Sequence, residues 1–378
     1  MNAEQSYLRN IICDHLNGEN TVLEEVDQKK LYAISQQQQL SAIVYAQTRN
    51  AIFENAYLYQ ISYMVRVERD LQQLKKLLAG YEFFLVKGAC LKEFYPRPEL
   101  RSMGDIDLII RPQNRKQTHR IMIEAGFVLE SKWKEQWVYK KEDVTCEVHE
   151  KLVLSRENHP GHEAFSSRIW EHVQNNKLDW NYHFIYVLFH LRAHMLQKGV
   201  GFRQFMDVAI LCKNNKELDW KIISEELNSL EALAFAKKVF AFNERFFGVK
   251  SPLNGTVMED DFYNTVLEKL FKDGVFGKET PENQYRKISR IMYKDKTGAR
   301  RAKMKYVLRM IFPTYEQLCD YAYLSYLKKS PFLFPVAWIH RLIYSLSKKE
   351  KREKLRKAMH SDNAVLQKQR DMLAKWGI

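Results

Sequence analysis

Two aspartates, Asp105 and Asp107, stand one residue apart in the run DIDLII. In a β-strand, residues i and i+2 share a face. At ~3.3 Å of rise per residue their Cα atoms lie roughly 6.6 Å apart. Carboxylates so placed can converge on a shared cation, and Mg²⁺ takes carboxylates together with substrate phosphate oxygens. Upstream, YEFFLV reads as a strand and Lys87-Gly88-Ala89 as the turn that follows it. Phe83 to Pro112 therefore reads strand, glycine turn, short helix, loop, strand. Acids at a strand start also cap turns or face water, so the pair needs further chemistry beside it.

Other elements must hold that stretch in place. Residues 1–80 read helical, with Leu8, Ile11, Ile12 and Leu16 at i, i+3, i+4 spacing. AYLYQISYMVRVERDLQQLKKLLAGY is a strong helix that delivers the chain into YEFFLV. The polar run Gln36 to Gln39 reads as a solvated helix face. After DIDLII comes a helix, QNRKQTHRIMIEAG, ended by Gly126. FVLESKWKEQWVYKK and EDVTCEVHEKLVL follow as strands, rich in Val, Thr and Tyr. From residue 156 the chain is mainly helical. NYHFIYVLFHLRAHMLQKG is aromatic-rich, and LDWKIISEELNSLEALAFAKKVFAFNERFFG reads as a helix pair. Ser251 to Arg300 is more polar and carries turn signals, as an insertion would. The tail from Lys348 to Ile378 reads as a basic helix, a solvated one or a membrane-surface or RNA contact.

The chain has 378 residues, 46% of them hydrophobic, which is enough for two domains with real cores. A formal net charge of +14 favours anionic partners such as nucleotides, nucleic acid or anionic lipid. The five cysteines are scattered and form no C-x-x-C pair, which argues against a disulfide framework and a zinc ribbon. The N-terminal residues do not read as a signal peptide. PFLFPVAWI is too short and too proline-rich to span a bilayer, so the expected location is cytoplasmic with no transmembrane segment.

A glycine turn after one strand and Asp-x-Asp on the next resembles the polymerase-beta-like nucleotidyltransferase superfamily. More narrowly, KGACLKEFYPRPELRSMGDIDLIIRP resembles the uncharacterised bacterial nucleotidyltransferase family. The Lys-Gly turn, the Tyr-Pro pair, an Arg before the acids and Asp-Ile-Asp-Leu occur in order. An acid-x-His pair follows as Glu147-Val148-His149, then a His-rich helix and an Arg…Asp helix with His190, His194, Arg203 and Asp207. The resemblance runs from about residue 83 to 220 and more weakly through FPTYEQL.

This resemblance implies two-metal chemistry, in which paired cations brace the attacking and leaving oxygens of an in-line displacement. Asp105 and Asp107 would bind Mg²⁺, with Mn²⁺ as a second choice. Glu147 would be the third carboxylate, ligand or base for the acceptor hydroxyl; Glu150 points to the opposite strand face. Gly88 would let backbone N–H groups approach the phosphates. Lys87 and Arg101 would neutralise phosphate charge, and His149 would join them on the nucleotide. Arg101 has a competing reading as the partner of Asp107 or a surface acid. His190 and His194 share a helix face, with packing and hydrogen bonding expected rather than zinc. Arg203 and Asp207 read as an i, i+4 helix pair.

The expected fold is α+β. A small mixed-sheet nucleotidyltransferase domain at 81–155 is flanked by an N-terminal helical segment at 1–80 and a larger C-terminal helical domain at 156–378. The expected function is transfer of an NMP group from an NTP to an unidentified hydroxyl or phosphate acceptor, a small molecule or sugar. The alternatives are transfer to protein or RNA, and a non-enzymatic binding module that retains the fold.

Overall fold

A computed structural model describes residues 1–133, 135–152, 162–197, 199–254, 257–275, 281–319 and 321–378. The chain is α+β, with one five-stranded mixed sheet among many helices. Met1–Met195 with Gly199–Gly277 form one compact unit; Leu196–Lys198 with Lys278–Ile378 form another.

The first unit begins with α1 (Ala3–Asn17), α2 (Gln28–Gln37), α3 (Ser41–Thr48) and the long α4 (Glu54–Leu77). Then come β1 (Phe83–Val86), the single turn α5 (Gly88–Leu91), β2 (Ile106–Ile110) and α6 (Arg115–Glu124). The sheet is completed by β3 (Val128–Lys132), β4 (Gln136–Lys141) and β5 (Val144–His149). FVLESKWKEQWVYKK is thus two strands of a hairpin rather than one. The strand order is β1-β2-β5-β4-β3, with β2 and β5 parallel and the other pairs antiparallel.

Alternation sets what each face of the sheet does. Ile106, Leu108 and Ile110 of β2 and Cys146 and Val148 of β5 bury against Met64, Val67, Leu71 and Leu74 of α4 and Ile121 and Met122 of α6. Each fully buried aliphatic side chain there contributes about 1.5–3 kcal/mol. The intervening residues, Asp107 in β2 and Glu147 and His149 in β5, are turned to the other face. That face meets the segment that follows. Phe84 packs edge-on against Trp170, with ring centroids 4.9 Å apart.

The segment holds α7 (His162–Arg168), the short hairpin β6 (Val173–Gln174) and β7 (Lys177–Leu178), then α8 (Trp180–Gln197) and α9 (Phe202–Asn214). Helices α10 (Trp220–Ser229), α11 (Leu233–Phe247) and α12 (Asp260–Asp273) complete the unit. The glutamine run is a solvated face only in part: Gln36 is exposed, but Gln38 is not. Gln38 is fully buried; its amide donates to the Leu270 carbonyl at 2.8 Å and accepts from the Phe202 N–H at 3.3 Å. It ties the N-terminal helices to α9 and α12.

The second unit is helical: α13 (Pro281–Lys294), α14 (Ala299–Ile311), α15 (Tyr315–Cys319), α16 (Tyr326–Lys329), α17 (Phe334–Ser347), α18 (Lys349–Met359) and α19 (Asn363–Trp376). Ser251 to Arg300 therefore carries α12, α13 and the start of α14, and its polar residues are the outer faces of amphipathic helices. The basic tail is two helices, separated where Asp362 caps α19. Leu366 and Trp376 of α19 are buried, so only part of the tail is solvated. All five cysteines are free, and no described helix is long and apolar enough to cross a membrane.

Candidate active site

Strand register builds the site. Asp107 lies opposite Glu147 across the parallel β2–β5 pair, and Val86 of β1 lies opposite Asp107 on its other side. His149, two residues after Glu147, joins them on the same face. Its Nε2 lies 3.2 Å from Asp107 Oδ1 and 3.3 Å from Glu147 Oε2. Lys87 Nζ donates to Asp107 Oδ1 at 2.6 Å.

Burial would raise the Asp107 carboxyl, yet the Lys87 ammonium and the His149 ring override it and hold it down at about 2. Burial likewise works against the protonated forms of Lys87 and His149, and both are nevertheless raised: Lys87 chiefly by the Asp107 charge, His149 by hydrogen bonds to Asp107 and Glu147. The floor of the site is a set of charges that stabilise one another.

The residues fit a divalent cation. One donor atom each from Asp107, Glu147 and His149 lie within 4.8 Å of one another, the group of this kind among the described residues. An octahedral cation with ~2.1 Å bonds has neighbouring donors about 3 Å apart, close to the two His149 separations. Asp107 Oδ2 is buried with no hydrogen-bond partner. A buried unsatisfied carboxylate oxygen is costly unless a ligand meets it.

Asp105 stands apart from this group. It precedes the first residue of β2 and is half-buried, so the i, i+2 strand argument does not apply to it. The group of side chains that could hold an ion includes His149, expected on the nucleotide, while Asp105, expected on the metal, is not in that group. Asp105 still feels the site. The Asp107 charge, then burial, push its carboxyl up to about 6, with Glu147 adding and Lys87 opposing.

This shift has a sign. An acid raised from ~3.8 to about 6 on folding keeps its proton longer in the native state, so stability falls as pH rises through that window. Asp105→Asn should therefore raise the Tm of metal-free protein at pH 7.5, by the equivalent of about 3 kcal/mol at most, and lose that gain near pH 4. Thermal melts at the two pH values check this; an equal shift at both would mean that charge repulsion is not the cause.

The turn before the acids is braced from behind. Lys87 has φ +54° and ψ −130°, a strained conformation for a side-chain-bearing residue. Its N–H donates to His183 Nε2 on α8 at 3.1 Å. His183 accepts because it is neutral; burial, helped by Arg101, pushes it down to about 3. At Gly88 an added Cβ would lie 2.4 Å from Arg101 Nη1 and 2.8 Å from Met103 Cγ. Glycine is needed there because Arg101 packs over it.

Arg101 itself is not free for a phosphate. It is buried and bidentate to Asp207 of α9, at 2.8 and 2.7 Å, and Tyr95 donates to the same carboxylate at 2.8 Å. Arg203 makes no ion pair with Asp207; its Nη1 reaches the Ser102 carbonyl and Gln39 Oε1, both at 3.2 Å. Glu150 pairs with Arg115, away from the acids. The His190 and His194 rings meet edge to face 4.4 Å apart. Burial first, then the Lys87, His194 and Arg203 charges, keep His190 neutral.

Nothing in the spacing of NYHFIYVLFHLRAHMLQKG marks His183, and only the fold brings it to Lys87. Among known proteins, a family model described as uncharacterised nucleotidyltransferase matches residues 24–248. No curated protein and no solved structure matches the chain.

Proposed function

Because the chain belongs to the uncharacterised nucleotidyltransferase family, whose model covers more than half of it, we propose that it transfers an NMP group from an NTP to a hydroxyl or phosphate acceptor, a small molecule or sugar, on the polymerase-beta-like plan. The observation that carries this reading is the register match of Asp107 with Glu147, with His149 between them.

Asp107, Glu147 and His149 would hold a divalent cation, Mg²⁺ or Mn²⁺; the imidazole makes the site acceptable to Mn²⁺ as well as to the oxygen-seeking Mg²⁺. Bound there, the cation supplies charge neutralisation to the triphosphate. The protein's own residues do the rest. Lys87 places an ammonium at the same carboxylate, where it can meet a phosphate oxygen. The side chain of Glu147 is 24% exposed against 1% for Asp107. It is thus the carboxylate that an acceptor hydroxyl can reach, and we assign it the acceptor proton. Asp105 adds negative charge beside Asp107 and favours cation binding. Arg101 and Asp207 act at one remove by fixing the Gly88 turn.

The test is incubation of the full chain with each labelled NTP, Mg²⁺ or Mn²⁺ and a cell extract, beside the Asp105→Ala/Asp107→Ala variant. Label transferred by the wild type and absent with the variant is the expected result. Transfer that survives the double substitution would sink the site assignment. Absence of NTP binding by calorimetry would leave the fold without the activity.

A further inference from the structure

The second unit carries an apolar stripe that its own core does not use. On α17 and the turn before it, Phe332 is 97% exposed, and Val336, Ile339, Ile343 and Leu346 are each 50–63% exposed. Their spacing of four, three, four and three residues puts the four helical ones on one face of α17 and Phe332 in line with them on the turn before it. The helix is held from its other side. Ala337 is fully buried with Leu318, Leu324 and Leu327, and the Trp338 indole donates to the Ile311 carbonyl at 2.8 Å. The stripe is thus fixed outward by packing, and a run of large exposed apolar residues of this kind marks an interaction surface.

The charge around it selects the partner. Residues 321–349 contain no Asp or Glu, and they include Lys328, Lys329, Arg341, Lys348 and Lys349. The exposed Lys329 stands before the N-terminus of α17, and the exposed Lys348 and Lys349 follow its C-terminus. Basic α18 comes next, with Lys351, Arg352, Arg356 and Lys357.

We infer that α17 is an interfacial helix that lays its apolar stripe into the surface of an anionic phospholipid bilayer, with the lysines at its ends on the headgroups. An amphipathic helix with aliphatic and aromatic residues on one face and Lys/Arg beside it binds this way, and polybasic segments add attraction to anionic lipid. Fourteen residues are too few to span the hydrocarbon core, so the helix lies in the plane. A second copy fits less well, because stripe against stripe would bring lysine-rich ends together, with only Glu350 and Glu353 of α18 beside the lysines and arginines there. RNA would use the lysines but leave the aliphatic stripe exposed.

The inference does not depend on the transferase reading. Full-length protein is floated with vesicles of phosphatidylcholine alone or mixed with phosphatidylglycerol. Binding is expected to the anionic vesicles and to weaken as salt rises. Ile339→Asn/Ile343→Asn should reduce that binding on the order of tenfold or more, with an unchanged melting curve because both sites are exposed. Lys348→Glu/Lys349→Glu should weaken it and flatten its salt dependence. Phe332→Ser, outside the helix, serves as a second apolar variant. The inference is overturned if the folded wild type ignores anionic vesicles, if the apolar variants bind them as the wild type does, or if sedimentation shows a self-association that Ile339→Asn/Ile343→Asn abolishes.

Discussion

Asp107→Asn is expected to lower nucleotidyl transfer by at least about 100-fold and to abolish the rise in Tm expected of the wild type with Mg²⁺ or Mn²⁺. The substitution keeps the shape of the side chain and removes its charge at the point where β1, β2 and β5 converge. It turns one of the two carboxylate oxygens into an amide NH2 and leaves the other neutral, so the oxygen that Lys87 and His149 both contact and the oxygen that has no partner can no longer both serve as anionic donors. The same change bears on stability. A carboxyl held at about 2 in the folded protein, against an ordinary ~3.8, stabilises it above that window and loses this as pH falls through it. The variant also leaves the half-hidden Lys87 ammonium without its counter-charge. Adding Lys87→Met should therefore restore part of the lost stability while transfer stays absent. That split separates chemistry from folding, and an Asp107→Asn protein that transfers label at the wild-type rate would refute the assignment.

Parts of this site were legible in the chain because they rest on local rules. The alternation in DIDLII and TCEVHE sends Asp107, Glu147 and His149 to one face and their apolar neighbours to the other, and the two strands meet in matching register. Asp105 obeys the same spacing, but β2 begins one residue after it, and where pairing starts is set by partner strands rather than by sequence spacing. Arg101 looked like a phosphate ligand because it stands beside the acids in sequence; its partner Asp207 is 106 residues away. Long-range ion pairs leave no periodic trace. The same holds for His183 beneath the Lys87 turn and for Gln38, whose buried amide joins helices more than 160 residues apart. The hairpin β3–β4 was read as one strand because SKWKE lacks the Gly or Asn that marks a tight turn.

Asp207→Ala is expected to destabilise the protein by about 3–5 kcal/mol, a loss of several degrees or more in Tm. The Arg101 guanidinium would keep its burial and lose both charged acceptors at once. Tyr95 would lose the acceptor of its hydroxyl. Arg203, which burial and the Arg101 charge already push toward losing its proton, would face that charge without the Asp207 carboxylate to offset it. Removing both members, as Arg101→Met/Asp207→Leu, should recover much of the loss, because a buried pair can be replaced by apolar volume at little cost. Arg101→Lys separates the two roles considered for this residue. A single ammonium cannot reproduce two parallel hydrogen bonds to Asp207, so if Arg101 acts as a brace the variant melts earlier, and NTP affinity follows the loss of the Gly88 turn. If Arg101 acts on phosphate, Asp207→Ala leaves the Tm unchanged, Arg101→Lys weakens NTP binding alone, and the brace described between α9 and the Lys87-Gly88 turn is wrong.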